Sequence, residues 1–194
     1  MEDIRKSGLA WVLYFYFDFK DIDKQSRRAL LSSFLVQLCA RSDPFCDIIS
    51  RLYSTHDHGA RQPSEESLMR CLKEMLSLPG QGEIYIIMDA LDECPNNSGM
   101  PSPREEILET IGELVGFQLP NLHLCITSRP EVDIRAALEP LTSHPVSLHD
   151  EDGHRRDIID YIVSVVNTDP RMQNWRDMDR QLVIDTLSEK ADGM

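Results

Sequence analysis

The pattern of apolar and polar positions predicts an alternating order of strands and helices. Leu9 to Phe19 is dense in aromatic and β-branched residues and ends in the polar Lys20-Asp21-Ile22-Asp23, which predicts a strand. Ser26 to Ala40 places Leu30, Leu31, Phe34, Leu35 and Leu38 at helical spacing, and Arg41-Ser42-Asp43-Pro44 closes that helix. A further helix is predicted over Phe45 to Tyr53. Ser64-Glu65-Glu66-Ser67 opens the next one, with Ser64 as N-cap and Leu68, Leu72, Met75 and Leu76 as its buried stripe. The apolar run Ile84-Tyr85-Ile86-Ile87-Met88, set between Pro79-Gly80-Gln81-Gly82 and Pro95-Asn96-Asn97, reads as a strand buried on both faces, in the middle of a parallel sheet. Arg104 to Phe117 carries Ile107, Leu108, Ile111, Leu114 and Val115 on one face, an amphipathic crossover helix. Leu119-Pro120-Asn121 then turns the chain into a strand at Leu122 to Thr127, completing a right-handed α/β unit.

The two ends read differently. Residues 1 to 7 resemble the last turns of a helix stopped by Ser7-Gly8. After a helix at Val132 to Leu138 and a short strand near His144 to Leu148, the pattern becomes helical, at His154 to Val166 and Met178 to Ala191, and no strand returns. The charged break Asp150-Glu151-Asp152-Gly153 sets the expected boundary between an α/β part, residues 1–150, and the beginning of a helical lid region, residues 151–194.

Composition narrows the setting. Twenty basic against thirty-three acidic residues give a formal charge of −13, which argues against nucleic acid or an anionic membrane as partner. Five cysteines without a Cys-x-x-Cys spacing read as reduced core thiols of a cytoplasmic protein. No signal-peptide pattern and no apolar stretch of about 18 residues is present. His56 and His58 sit in a polar stretch with no third ligand in view and read as solvated loop histidines. His123, inside a strand, reads as a hydrogen-bonded core histidine.

The candidate chemistry lies where the central strand ends. Asp89, Asp92 and Glu93 follow Met88 directly, and in open α/β sheets ligands bind at the carboxyl ends of the strands. An acid ending the strand can hold Mg²⁺ through its water shell, and acids one turn further on can orient and deprotonate a water. This is the layout of a Walker B motif; an acidic surface turn after a core strand is the plain alternative. Ser128-Arg129-Pro130 ends the following strand, so Arg129 emerges on the same edge. There its guanidinium can fork onto phosphate oxygens, or form a salt bridge with one of the acids. The loop Pro95 to Pro103 lies beside these acids as a rim or a plain connection.

Four segments together resemble the NACHT class of signal-transducing NTPases, and most closely the fungal proteins whose NTPase region is labelled nephrocystin-3-like N-terminal. They are Tyr14-Phe15-Tyr16-Phe17-Asp18-Phe19, Met88-Asp89-Ala90-Leu91-Asp92-Glu93-Cys94-Pro95, Ile126-Thr127-Ser128-Arg129-Pro130 and Lys190-Ala191-Asp192-Gly193-Met194. The resemblance implies that Asp89 is the Mg²⁺-associated acid, Asp92 and Glu93 the water-activating pair, and Arg129 the sensor of the terminal phosphate. It implies ATP or GTP with Mg²⁺ as ligands of a full-length parent of the STAND class, and protein partners through oligomerisation.

The chain departs from that pattern in one respect. The family binds nucleotide through Gly-x-x-x-x-Gly-Lys followed by Ser or Thr, whose backbone N–H groups cradle phosphates, and no such segment occurs here. By resemblance the missing part lies upstream of Leu9. The expected fold is therefore a three-layer α/β P-loop NTPase-like parallel sheet missing its P-loop strand, followed by the start of a helical domain. That strand would lie between the strands at Leu122 to Thr127 and His144 to Leu148. Its loss opens a gap of about 9.6 Å and leaves the last strand poorly anchored. Three functions stay open at this point: an NTPase core that by itself binds nucleotide weakly or not at all, a noncatalytic module that pairs with intact relatives, and a carboxylate-pair hydrolase such as a glycosidase. The last is disfavoured by Arg129 and by the short chain.

Overall fold

The computed structural model describes residues 10–97, 99–147 and 152–190. The chain divides into two compact units, residues 1–142 and 143–194. In the first unit, strands β1 (Ala10–Tyr16), β2 (Glu83–Asp89) and β3 (Leu122–Ile126) form a parallel sheet in that order, with β2 central. Helices α1 (Arg27–Cys39), α2 (Asp43–Thr55) and α3 (Glu65–Leu76) connect β1 to β2, and α4 (Pro103–Gly116) connects β2 to β3. Helix α5 (Val132–Leu138) follows β3. The second unit holds α6 (Asp152–Thr168) and α7 (Asp177–Lys190), which pack against each other. The α/β architecture expected from the sequence is thus observed, with helices following the sheet. The reading of residues 1 to 7 lies outside the described residues.

Local chemistry accounts for the helix starts. Ser26 accepts a hydrogen bond from Ala29 N at 3.2 Å, and Ser64 does the same for Ser67 N at 3.2 Å. At α4 a full capping box forms: Glu105 N donates to Ser102 Oγ at 3.2 Å, and Ser102 N donates to Glu105 Oε2 at 2.7 Å. Each such cap contributes about 1 kcal/mol.

Register decides which side chains make the core. Trp11, Leu13 and Phe15 lie level with Ile84, Ile86 and Met88, and these with Leu122, Leu124 and Ile126. This face meets Leu30, Phe34 and Leu38 of α1, Phe45 of α2, Leu72 and Met75 of α3, and Ile107, Ile111 and Leu114 of α4 in one hydrophobic cluster. Fully burying a Leu or Phe there contributes about 1.5–3 kcal/mol. The opposite face corrects the expectation of a strand buried on both sides. Ile84, Ile86 and Met88 are wholly buried, whereas Tyr14, Tyr85 and Tyr16 are 40%, 39% and 54% exposed. That face is partly covered, with Ala10 and Val12 buried and Ile87 half-buried, so β2 alternates although most of its residues are apolar.

Three further corrections follow from the same geometry. His123 is not a core residue: it lies exposed on the open face, stacked on Tyr85 at 4.8 Å and paired through Nε2 with Glu83 at 2.7 Å. The cysteines are all free, but only Cys71 and Cys94 are buried, while Cys46 and Cys125 are exposed. No strand forms over residues 144–147, and Val146 there is 76% exposed. Pro145 removes a ladder donor, and a strand without a hydrogen-bonded neighbour has nothing to hold it. Leu148 lies outside the described residues.

The outer edge of β1 has a side-chain partner. Tyr14 N donates to Gln37 Oε1 at 3.1 Å, and Gln37 Nε2 donates to Tyr14 O at 2.8 Å. Gln37, on α1, also joins Ser33 of the preceding turn at 3.0 Å.

Candidate functional site

The carboxyl edge of the sheet is built from three segments that leave β1, β2 and β3 side by side. Asp89 closes β2, and its backbone oxygen accepts from Phe17 N at 3.0 Å, extending the β1 pairing past the strand. The next residue turns sharply: Ala90 is left-handed, at φ 57° and ψ 47°. For an L-residue this conformation costs about 1–2 kcal/mol. The strain is held by Thr127 at the end of β3, whose Oγ1 accepts from Ala90 N at 3.0 Å and donates to Asp89 Oδ1. Leu91, fully buried, anchors the 3-10 turn Leu91–Glu93 from beneath, and its N–H bonds Thr127 O at 3.0 Å.

That turn sends its two acids in different directions. Asp92 Oδ1 accepts from Arg129 N at 3.0 Å, while Asp92 Oδ2 meets Arg129 Nε at 3.4 Å. The Asp92 side chain is 11% exposed and that of Arg129 is 82% exposed. Glu93 Oε2 accepts from Phe19 N at 3.2 Å, just beyond β1. The sequence-identified residues Asp89, Asp92, Glu93 and Arg129 are therefore all brought to one edge, Asp89 and Asp92 tied to the segment that leaves β3 and Glu93 to the one that leaves β1.

Arg104 is the member of this region that sequence reasoning passed over. Buried at the start of α4, it donates from Nη2 to Asp92 O at 2.6 Å and from Nε to Cys94 O at 2.8 Å. Its Nη1 meets Glu131 Oε2 at 2.7 Å and Asp133 Oδ2 at 3.2 Å, both at the start of α5. Burial opposes its charge, but the hydrogen bonds it donates to Glu131 and Asp133, with their negative charge, outweigh it and hold the guanidinium above its ordinary pKa. Asn96 extends the network, donating to Asp133 Oδ2 at 2.9 Å and accepting from Ser102 Oγ at 3.0 Å, so the loop beginning at Pro95 is tied down near both ends. The signal was present: Arg104 lies three residues before Ile107 and seven before Ile111, in line with the apolar stripe of α4. Thr127 was likewise missed, and only the pairing of β2 with β3 brings it to Asp89.

The arrangement sets limits on its chemistry. Asp92 has both oxygens engaged, so it can act on a water only after Arg129 lets go, whereas Asp89 Oδ2 and Glu93 Oε1 have no protein donor among the described residues. No cluster of three or more His, Cys, Asp or Glu side chains suited to a metal occurs among the described residues. A dehydrated metal cage is therefore not offered there. A Mg²⁺ that keeps most of its waters needs only one or two carboxylates, and Asp89 fits that requirement. For the phosphates of a nucleotide this edge offers the exposed Arg129 guanidinium and, among the described residues, no glycine-rich loop. No helix among the described residues is long and apolar enough to cross a membrane.

Fold and site together define an α/β domain whose parallel sheet gathers acids and an arginine at its carboxyl edge. Residues 1–129 match the family model described as Nephrocystin 3, N-terminal, and the chain belongs to that family. The match takes in Asp89, Asp92 and Glu93 and ends on Arg129. Neither the curated proteins nor the solved structures give a match.

Proposed function

We propose that this chain is the core of a NACHT-type, signal-transducing NTPase domain that carries the Walker B half of a Mg²⁺-nucleotide site. Asp89 is the metal-associated acid, Asp92 and Glu93 orient and deprotonate water, and Arg129 senses the terminal phosphate. Bound Mg²⁺ would supply neutralisation of charge on the phosphate oxygens. The observation that carries this reading is the Asp92–Arg129 contact at 3.0 and 3.4 Å. It keeps a phosphate-seeking cation on the acid it would release on binding, so ligand and base are exchanged by one movement. Because the 194 residues hold no Gly-x-x-x-x-Gly-Lys segment, the chain alone binds ATP or GTP weakly or not at all, and hydrolysis belongs to a full-length parent.

Thermal unfolding with and without MgATP, MgGTP or MgADP tests the reading. Binding to the folded state alone raises stability by about 2.7 kcal/mol at a hundredfold excess over Kd. A weak shift with a triphosphate that is lost in Asp89→Ala supports the assignment; a shift that Asp89→Ala leaves intact overturns it. The open face with Tyr14, Tyr16 and Tyr85 favours a second reading, a noncatalytic module that pairs with intact relatives. Concentration-dependent association without nucleotide, measured by sedimentation, distinguishes it.

A further inference from the structure

We propose that Cys39 and Cys46 form a redox-reactive dithiol that a hydroperoxide converts reversibly into an intramolecular disulfide at the corner between α1 and α2. Cys39 is the last residue of α1 and Cys46 the fourth of α2. Each thiol lies against the other's segment: Cys46 Sγ donates to Cys39 O at 3.3 Å, and Cys39 Sγ donates to Phe45 O at 3.8 Å. Their exposure differs, Cys46 being open to solvent and Cys39 half-buried. An accessible cysteine beside a shielded second thiol is the arrangement of a reactive thiol with its resolving partner. Burial, with the neighbouring Cys46, pushes the Cys39 thiol up.

The chemistry balances in two steps. The Cys46 thiolate attacks the peroxide; an S–O bond forms, the O–O bond breaks, and the departing oxygen leaves as alcohol or water after taking a proton. Cys46 is now a sulfenic acid, oxidised by two electrons as the peroxide is reduced. Cys39 then gives up its proton and attacks the Cys46 sulfur; the S–S bond forms, the S–O bond breaks, and hydroxide takes that proton and leaves as water. A dithiol reductant reverses the result by two exchange steps. Cys71 lies within electrostatic reach of Cys39, but it is buried in α3, where a peroxide cannot reach it. Phe45, next to Cys46, packs edge-on against Trp11 at 5.2 Å.

The test uses the full chain with Cys125→Ser, which removes the other exposed thiol, treated with a small excess of hydrogen peroxide. The expected product is a monomer lighter by two hydrogen atoms, with the Cys39 and Cys46 peptides joined and released by dithiothreitol. In Cys39→Ser, Cys46 should accumulate as a sulfenic acid captured by dimedone, whereas the parent gives little adduct. Equal dimedone labelling with and without Cys39 overturns the proposal. So does a Cys46 sulfinic acid beside an alkylatable Cys39, or a dimer linked through Cys46. Cys46→Ser, at an exposed position, should keep the fold and abolish the mass change.

Discussion

Asp92 and Arg129 meet twice, once through the Arg129 backbone N–H at 3.0 Å and once through its guanidinium at 3.4 Å. The two contacts are unequal. The guanidinium side is 82% exposed and screened by water, so Arg129→Ala should cost less than about 1 kcal/mol. Asp92→Asn keeps an acceptor for the N–H and should cost a similar amount. Asp92→Ala removes both bonds from a mostly buried position and should cost about 1–3 kcal/mol. Urea denaturation orders the three variants, and a loss above about 2 kcal/mol for Arg129→Ala would refute the assignment of the backbone bond as the stronger one.

Arg104 holds far more of the site than Arg129 does. Arg104→Met leaves Glu131 and Asp133 without their cation and the carbonyls of Asp92 and Cys94 without a donor. Both acids are partly exposed, so the expected loss is near about 3 kcal/mol, the lower end for breaking a buried pair. Arg104→Lys should recover only part of it, because an ammonium cannot serve both carbonyls and both carboxylates at once. A lysine variant as stable as the parent in urea would remove the argument from the fork geometry.

Ala90 sits at φ 57° without the freedom of glycine. Ala90→Gly relieves a left-handed alanine while keeping the N–H bond to Thr127, and should raise stability by about 1 kcal/mol. Ala90→Val should lower it. The thermal midpoints of the two variants should therefore move in opposite directions, and destabilisation by glycine would contradict the strain assigned to this turn.

Burial pushes the Cys71 and Cys94 thiols up from 9.0 to about 11. The folded state therefore holds protons that the unfolded chain has already lost. Their contribution is fully present below pH about 9 and is lost as pH rises through about 11, at about 1.4 kcal/mol per pH unit for each thiol. Denaturation midpoints across that window should show a slope that Cys94→Ala reduces. An unchanged slope would mean that lysines and tyrosines carry the alkaline loss.

Much of this was legible because it is local. The cap at Ser64, the helical spacing after Ser26 and the acids after Met88 depend on residues within a few positions of each other. What was not legible depends on packing. Ile87 is as apolar as Ile84 and Ile86, so composition alone could not show that it is half-buried while they are wholly buried. Arg104 was read as the polar start of an amphipathic helix, although it falls on the stripe itself; its partners come from residues 92, 94, 131 and 133. The strand expected near residue 144 has β-forming residues but needs a neighbour, and a neighbour is a tertiary fact. His123 was expected to have a hydrogen-bond partner and does; its exposure followed from its place on the partly covered face.

The Gln37 side chain offers Tyr14 one donor and one acceptor, the same pair that a peptide group of an adjoining strand would present. An edge so occupied cannot template the addition of a second chain at that point without first expelling the amide. Sheet growth through β1, the route by which concentrated β-rich chains polymerise, is thus blocked at Tyr14 by a side chain.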